Sequence, residues 1–331
     1  MKNLAILFQS LTLVCLPLYI LRFNIIFPTT FLEVLLLVTF LITFFNFIKD
    51  GFKYQKLKTK FDILIGLFLV AGFVSIFFSF DYFKSLGIYR AYFIEPVIFY
   101  YCLIFTSRKY GKEYILNSLI ISGFWLSILG ILQKLTGQFS LAPHELIQGR
   151  ISGVYNSANA LALYLGPIIF LTLLKIKKST GTKKIVFIFL EILFLVNIFL
   201  TRSRGGEIAI VLAFIVFGYT IWAFKNRFLR KVWYLAPLVF VLIVSVFLIN
   251  VYSTKNLIPY FEKPYALGDT LQIRYFLWAG TVNLLKEHPI TGAGLNNFKS
   301  LYSNQYRLPY YQEEFQYPHN LILTFWAETG I

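Results

Sequence analysis

Acidic residues are scarce in this sequence. Aspartate and glutamate together number 15 of 331 residues, against 31 lysines and arginines. Only four are aspartates, Asp50, Asp62, Asp81 and Asp269, and none forms a D-x-D pair, so a divalent cation held by paired aspartates is unsupported. Cysteine is scarcer still. Cys15 and Cys102 each lie inside an apolar run, which gives no basis for a disulfide framework or a zinc site. Both read as small buried hydrophobes, and no cofactor motif stands elsewhere in the chain. A GxG at Gly292 and Gly294 follows no strand and reads as a turn, not a dinucleotide fingerprint.

What is present in quantity is apolar length. The chain is 58% hydrophobic and 19% aromatic with only 14% charged residues, which excludes an ordinary soluble domain. A bilayer core about 30 Å thick needs roughly 20 apolar residues per helix. Runs of that length without period-2 alternation predict helices, since lipid leaves no partner for unpaired backbone groups. The expectation is an all-α, polytopic transmembrane helical bundle of about ten spans. They lie near residues 4–21, 29–47, 62–80, 88–106, 115–133, 158–176, 185–201, 206–223, 232–251 and 319 onward. Residues 1–251 then carry nine spans, 252–318 a large outer loop, and 319–331 the start of a tenth, truncated span. The first run follows Lys2 with no small-residue cleavage site and reads as a helix that stays.

A net charge of +16 is compatible with a nucleic-acid partner, but its placement points to topology instead. The basic residues sit in short clusters between apolar runs. With the N-terminus inside, 18 of the 31 fall on inner segments, at Lys2, Lys49–Lys60, Arg108–Lys112, Lys175–Lys184 and Lys225–Lys231. The short outer segments hold Arg22, Lys84, Arg90, Lys134, Arg150, Arg202 and Arg204, as the excess of Lys and Arg on cytoplasmic loops requires. Arg202 and Arg204 therefore stand out, in one tight outer turn, TRSRGGE.

Three outer segments depart from ordinary loop chemistry. In TRSRGGE, Arg204 opens a helix whose free N–H groups and dipole favour an anion. Gly205 and Gly206 would let a phosphate approach the backbone, and guanidinium offers bidentate hydrogen bonds. The plainer alternative is a glycine turn with snorkelling arginines. In GRISGVYNSANALA, Arg150 precedes Asn156 and Asn159 at a helix start. These asparagines are either N-caps or, for Asn159 inside the apolar run, in need of a polar partner.

The third segment, GDTLQIRYFLWAGTVNLLKEHPITGAGLNNF, begins with Asp269 as N-cap and Gln272 three residues on. It predicts an amphipathic helix ending near Glu287, because His288 precedes Pro289. Arg274, Trp278 and Thr281 share one face, with Leu277 and Leu284 nearby. Asn296 is expected to cap a short helix carrying Phe298, Leu301 and Tyr302. His319, after Pro318, is expected to open the tenth helix, where the dipole disfavours imidazolium and keeps the ring neutral for general-base work. An interfacial capping role is the bland alternative. His144 and His288 read as structural. Among residues inside spans, Glu95 and Glu191 are candidates for ion or proton pathways, although Glu95 precedes Pro96 and fits a kink equally well.

The blocks SRGG at Ser203–Gly206, IRYFLW…EHPITGAGLNNF at Ile273–Phe298, and PHN…ETG at Pro318–Gly330 resemble, in order and spacing, those of the O-antigen ligase and polymerase superfamily. GRISGVYNSANALA is similar to an earlier block of that family, and the resemblance spans roughly residues 145–331. It implies a glycosyltransferase at the outer face of the cytoplasmic membrane. Such an enzyme takes a glycan from undecaprenyl pyrophosphate, without metal or cofactor, and places it on a lipid A core sugar or on a further glycan unit. Within it Arg204 and Arg274 would bind the pyrophosphate and His319 would activate the acceptor. Arg202, Gly205, Gly206, Arg150, Asn159, Trp278 and Asn320 are further candidates for holding pyrophosphate or glycan. Transfer by attack on the anomeric carbon with loss of pyrophosphate would invert configuration. The family pattern continues with helices beyond the tenth. A repeat-unit polymerase, or a transporter of lipid-linked glycan without chemistry, are the competing functions. Transporter sites, however, sit near the midplane between internal repeats, and no such repeat is found here.

Overall fold

A computed structural model describes residues 2–24, 28–51, 54–225, 270–307 and 314–330. Apart from one short antiparallel pair, Arg22–Asn24 with Pro28–Thr30, the regular structure among these residues is helical. Six helices are long and apolar enough to cross a bilayer: Phe31–Lys49, Tyr82–Tyr110, Glu113–Thr136, Ala158–Lys178, Gly181–Thr201 and Arg204–Lys225. They coincide with six of the expected spans. Three others are shorter than expected. Lys2–Val14 gives way to a 3-10 turn at Leu16–Ile20, where Pro17 cannot continue the α-helical ladder. Asp62–Ile76 has 15 residues, and the last apolar run forms Leu321–Thr329. The expected span 232–251, the loop up to residue 269 and the Asp269 cap lie outside the described residues.

The chain divides into two compact units, Met1–Leu57 with Phe99–Tyr234, and Lys58–Ile98 with Leu235–Ile331. In the first, the Ala158–Lys178 and Gly181–Thr201 helices pack as neighbours because only Ser179 and Thr180 join them. Their core contains Leu126, Ile151, Leu161, Leu165, Ile169 and Phe194, all fully buried. Lipid is as apolar as leucine, so helix association leans on polar contacts as well as packing. Gln9 supplies one such centre. Its amide nitrogen donates to Thr43 Oγ1, to the Cys102 carbonyl and to Thr106 Oγ1 (3.1, 3.1 and 2.8 Å), and its oxygen accepts from the Tyr114 hydroxyl at 2.6 Å. Cys15 and Cys102 are free and buried.

Segments assigned to the inner side by charge also meet in this unit. Lys109 Nζ lies 2.6 Å from Asp50, the Arg108 guanidinium donates to the Lys56 carbonyl at 2.9 Å, and Lys175 pairs with Glu113. Three expected inner clusters are thus joined to one another.

In the second unit, the part of the Tyr82–Tyr110 helix up to Ile98 widens into a π-helical turn at Arg90–Ile94. Pro96 follows at once and brings no N–H to the ladder, and the Glu95 N–H reaches back to the Arg90 carbonyl. Glu95 pairs with Arg90 at 3.2 Å, so this carboxylate serves the irregular turn. Glu191, in the first unit, is buried, and neither oxygen has a hydrogen-bond partner among the described residues.

The Thr270–Glu287 helix ends where Pro289 predicts. Its buried Leu277, Leu284 and Leu285 pack with Phe298, Leu301, Tyr302 and Ala327. The turn between these elements is tightly held. Gly292 (φ +61°) sits where a Cβ would fall 2.4 Å from the Ala327 carbonyl oxygen, and Gly294 (φ +87°) where one would fall 2.5 Å from that of Phe78. Ala293 N–H donates to Ala327 O, Leu295 N–H to Ser75 O, and Ser85 Oγ to Leu295 O. The turn therefore fastens three helices of the unit.

Candidate functional site

The two arginines of TRSRGGE occupy different environments. Thr201 ends one helix and Arg204 begins the next, so the reversal takes only Arg202 and Ser203. Arg202 makes the sharp step possible by adopting φ +49°. Ser203 stabilises the second helix start, its hydroxyl accepting from the Gly206 N–H at 3.2 Å. Gly206 faces Ala162, whose Cβ would lie 2.8 Å from an added Cβ, so its missing side chain lets two helices approach. Gly205 has nothing within 4 Å of an added Cβ and alone leaves open space beside Arg204.

The loop bearing Arg150 packs onto this turn. Gln133 is fully buried and fastens the loop, accepting from Ser152 and Gly153 N–H and donating to the Phe139 and Gly153 carbonyls. Ile151 N–H donates to Leu200 O at 3.3 Å. The Arg202 guanidinium lies over Gly149 and donates to Gln148 O at 3.4 Å, and Lys134 Nζ donates to Gly149 O at 3.2 Å. Arg150 donates to Thr201 O, Glu145 Oε2 and Asn159 Oδ1 at 2.9, 2.7 and 3.0 Å. Asn159 therefore finds the partner its apolar setting demanded, while Ser157 is the N-cap of its helix. Arg204 differs from Lys134, Arg150 and Arg202. It is exposed and makes no hydrogen bond or ion pair with a described residue.

In the second unit, Arg274 and Trp278 share a helix face, one turn apart. The Trp278 indole N–H donates to the Pro318 carbonyl at 2.8 Å and thereby pins the residue before His319 against the helix carrying Arg274. Thr281, a turn further on, is fully buried and turns its hydroxyl back to Leu277 O. His319 does not open the final helix. Asn320 is the N-cap, its side chain accepting from Leu323 N–H, and His319 precedes it at φ +52°. A non-glycine residue in this region is uncommon and costs on the order of 1–3 kcal/mol. Phe315 meets the imidazole edge-on at 5.0 Å between ring centres.

His319 is exposed as a residue, yet protein atoms crowd its ring. Desolvation first, and the Arg274 charge second, hold its pKa below the ordinary 6.5. Burial and a neighbouring cation, and not a helix dipole, are the causes of this lowering. Asn296 likewise departs from expectation. Asn297 is the N-cap position of the Phe298–Leu301 helix, and the Asn296 N–H donates to the buried Glu328 carboxylate. Glu145, Gln133 and Glu328, which organise these loops, carry no motif that marks them in the sequence. Their importance lies in partners 13 to 32 residues away.

No curated protein and no solved structure matches the chain. The O-antigen ligase family model matches residues 189–331. That stretch contains the TRSRGGE turn, Arg274, Trp278, His319 and Asn320, whereas Arg150 and Asn159 precede it. Residues 189–331 belong to the O-antigen ligase superfamily, and the chain is a multi-pass membrane protein of the glycosyltransferase type.

Proposed function

We propose that the protein transfers a glycan from undecaprenyl pyrophosphate to an acceptor hydroxyl at the outer face of the cytoplasmic membrane. The observation that carries this reading is His319, held in a left-handed conformation with a ring kept neutral by burial and by Arg274. Backbone strain at a polar residue marks functional positions, and a neutral imidazole is ready to take a proton.

In the proposed step the acceptor hydroxyl attacks the anomeric carbon of the donor sugar. Its proton passes to His319 as the new C–O bond forms. The bond from the anomeric carbon to the phosphate oxygen breaks, and undecaprenyl pyrophosphate leaves with the electron pair. Arg274 neutralises that leaving charge, as a fixed donor aimed at developing charge does, and by the family resemblance Arg204 is proposed to bind the same pyrophosphate. Arg204 also begins a helix, whose free N–H groups favour the same anion. Trp278 and Asn320 set the backbone on either side of His319. The outward orientation rests on the charge pattern and on the contacts joining the inner clusters. The acceptor in this reading is a lipid A core sugar, and a growing glycan, as for a repeat-unit polymerase, is the alternative.

A single displacement inverts the anomeric centre. NMR of the product formed from a donor of known configuration is expected to show inversion, and retention would contradict the step.

A further inference from the structure

We propose that Glu145 and Arg150 are positioning residues, a part-buried ion pair that holds the Thr201–Arg204 turn so that Arg204 meets the donor's phosphate. The inference rests on the role proposed for Arg204. Its basis is the geometry of two helix ends. The last carbonyls of Gly181–Thr201 and the first N–H groups of Ala158–Lys178 have no partner within their own helices. Arg150 Nε donates to Thr201 O at 2.9 Å at the first end, and Glu145 Oε1 accepts from Ala158 N–H at 3.0 Å at the second. The guanidinium thus stands at a helix C-terminus and the carboxylate at an N-terminus, each matching the local dipole.

The two are joined to each other, Arg150 Nη1 to Glu145 Oε2 at 2.7 Å, with side-chain exposures of 20% and 6%. Arg150 Nη2 donates to Asn159 Oδ1, and the Arg150 N–H to Glu145 O. A planar fork meets three acceptors from three chain segments at once, which an ammonium on a flexible stem does not reproduce. Every nitrogen of this guanidinium is engaged within the protein. Arg204, three residues beyond the helix end that Arg150 fixes, has no such partner among the described residues and is left for the ligand. Arg150 accordingly acts through the turn and not on the donor.

The test is a double-mutant cycle on the full chain in proteoliposomes, supplied with an undecaprenyl-pyrophosphate-linked glycan and an acceptor. Arg150→Lys and Glu145→Gln keep size and polarity but break the fork. Each is expected to raise the donor KM about tenfold or more in the parent protein and less than twofold in an Arg204→Ala background, because nothing remains to be positioned. Glu145→Gln carries the cycle alone if Arg150→Lys fails to accumulate. Losses that multiply in full in the double variant would overturn the positioning role and make Arg150 a direct ligand. An unchanged KM with a lowered unfolding temperature would reduce the pair to a structural brace. An Arg204→Ala protein with the parent KM would remove the role of Arg204 itself.

Discussion

Trp278 donates its indole N–H to the carbonyl of Pro318 at 2.8 Å, joining the helix that carries Arg274 to the residue that precedes His319. A side chain one turn from the arginine thus fixes the backbone of the histidine, and the Arg274 charge reaches the imidazole as a result.

Trp278→Phe keeps the aromatic bulk and removes the hydrogen bond. A neutral bond of this kind is worth about 0.5–1.5 kcal/mol, so transfer is expected to slow roughly threefold to tenfold with little change in unfolding temperature. Initial rates beside a thermal melt check this. A parent-like rate would show that the pin does not control His319.

The acid limb of the pH profile follows from the same contact. A general base works when deprotonated, so activity falls as pH drops through the His319 pKa, which lies below 6.5. The Arg274 charge disfavours protonation of the ring. Arg274→Gln is therefore expected to move the acid limb of kcat/KM to higher pH while leaving it below 6.5, since burial is the larger cause. A limb that stays in place or moves down would detach the two residues.

Adjacent glycines should respond oppositely. Gly206→Val drives a side chain into Ala162 and Ser203, and overpacking of this sort costs about 1–3 kcal/mol, measurable as a lowered melting temperature. Gly205→Ala meets nothing within 4 Å and should leave stability unchanged. Loss of donor binding in Gly205→Ala alone would show a phosphate approaching the backbone there.

Glu328→Ala leaves the Asn296 N–H without its buried acceptor, at a cost of about 1–3 kcal/mol. The Gly292–Asn297 turn should loosen first, seen as faster amide exchange at Ala293 and Leu295, whose N–H groups bond to other helices.

Local chemistry made much of this fold legible. Pro289 marked the end of the Thr270–Glu287 helix, and runs of apolar residues marked six long helices near their observed bounds. Arg204 stands at a helix start, as the glycines and apolar run that follow it predict. What stayed hidden depends on distant partners. Arg150, Arg202 and Arg204 look alike in sequence, and only the fold shows that the first two bond to carbonyls some 50 residues away. The left-handed backbone of His319 is equally invisible, since histidine carries no such preference strongly enough to predict it.

In the proposed transfer His319 takes the acceptor's proton while Arg274 stabilises the departing pyrophosphate. The most direct measurement is single-turnover transfer by His319→Ala in proteoliposomes loaded with saturating undecaprenyl-pyrophosphate-linked glycan and acceptor. A loss of about 10²–10⁴ in the transfer rate, with donor affinity retained and the donor's glycan still displayed outside, is the predicted result. Transfer at the parent rate, or glycan stranded on the inner leaflet, would contradict it.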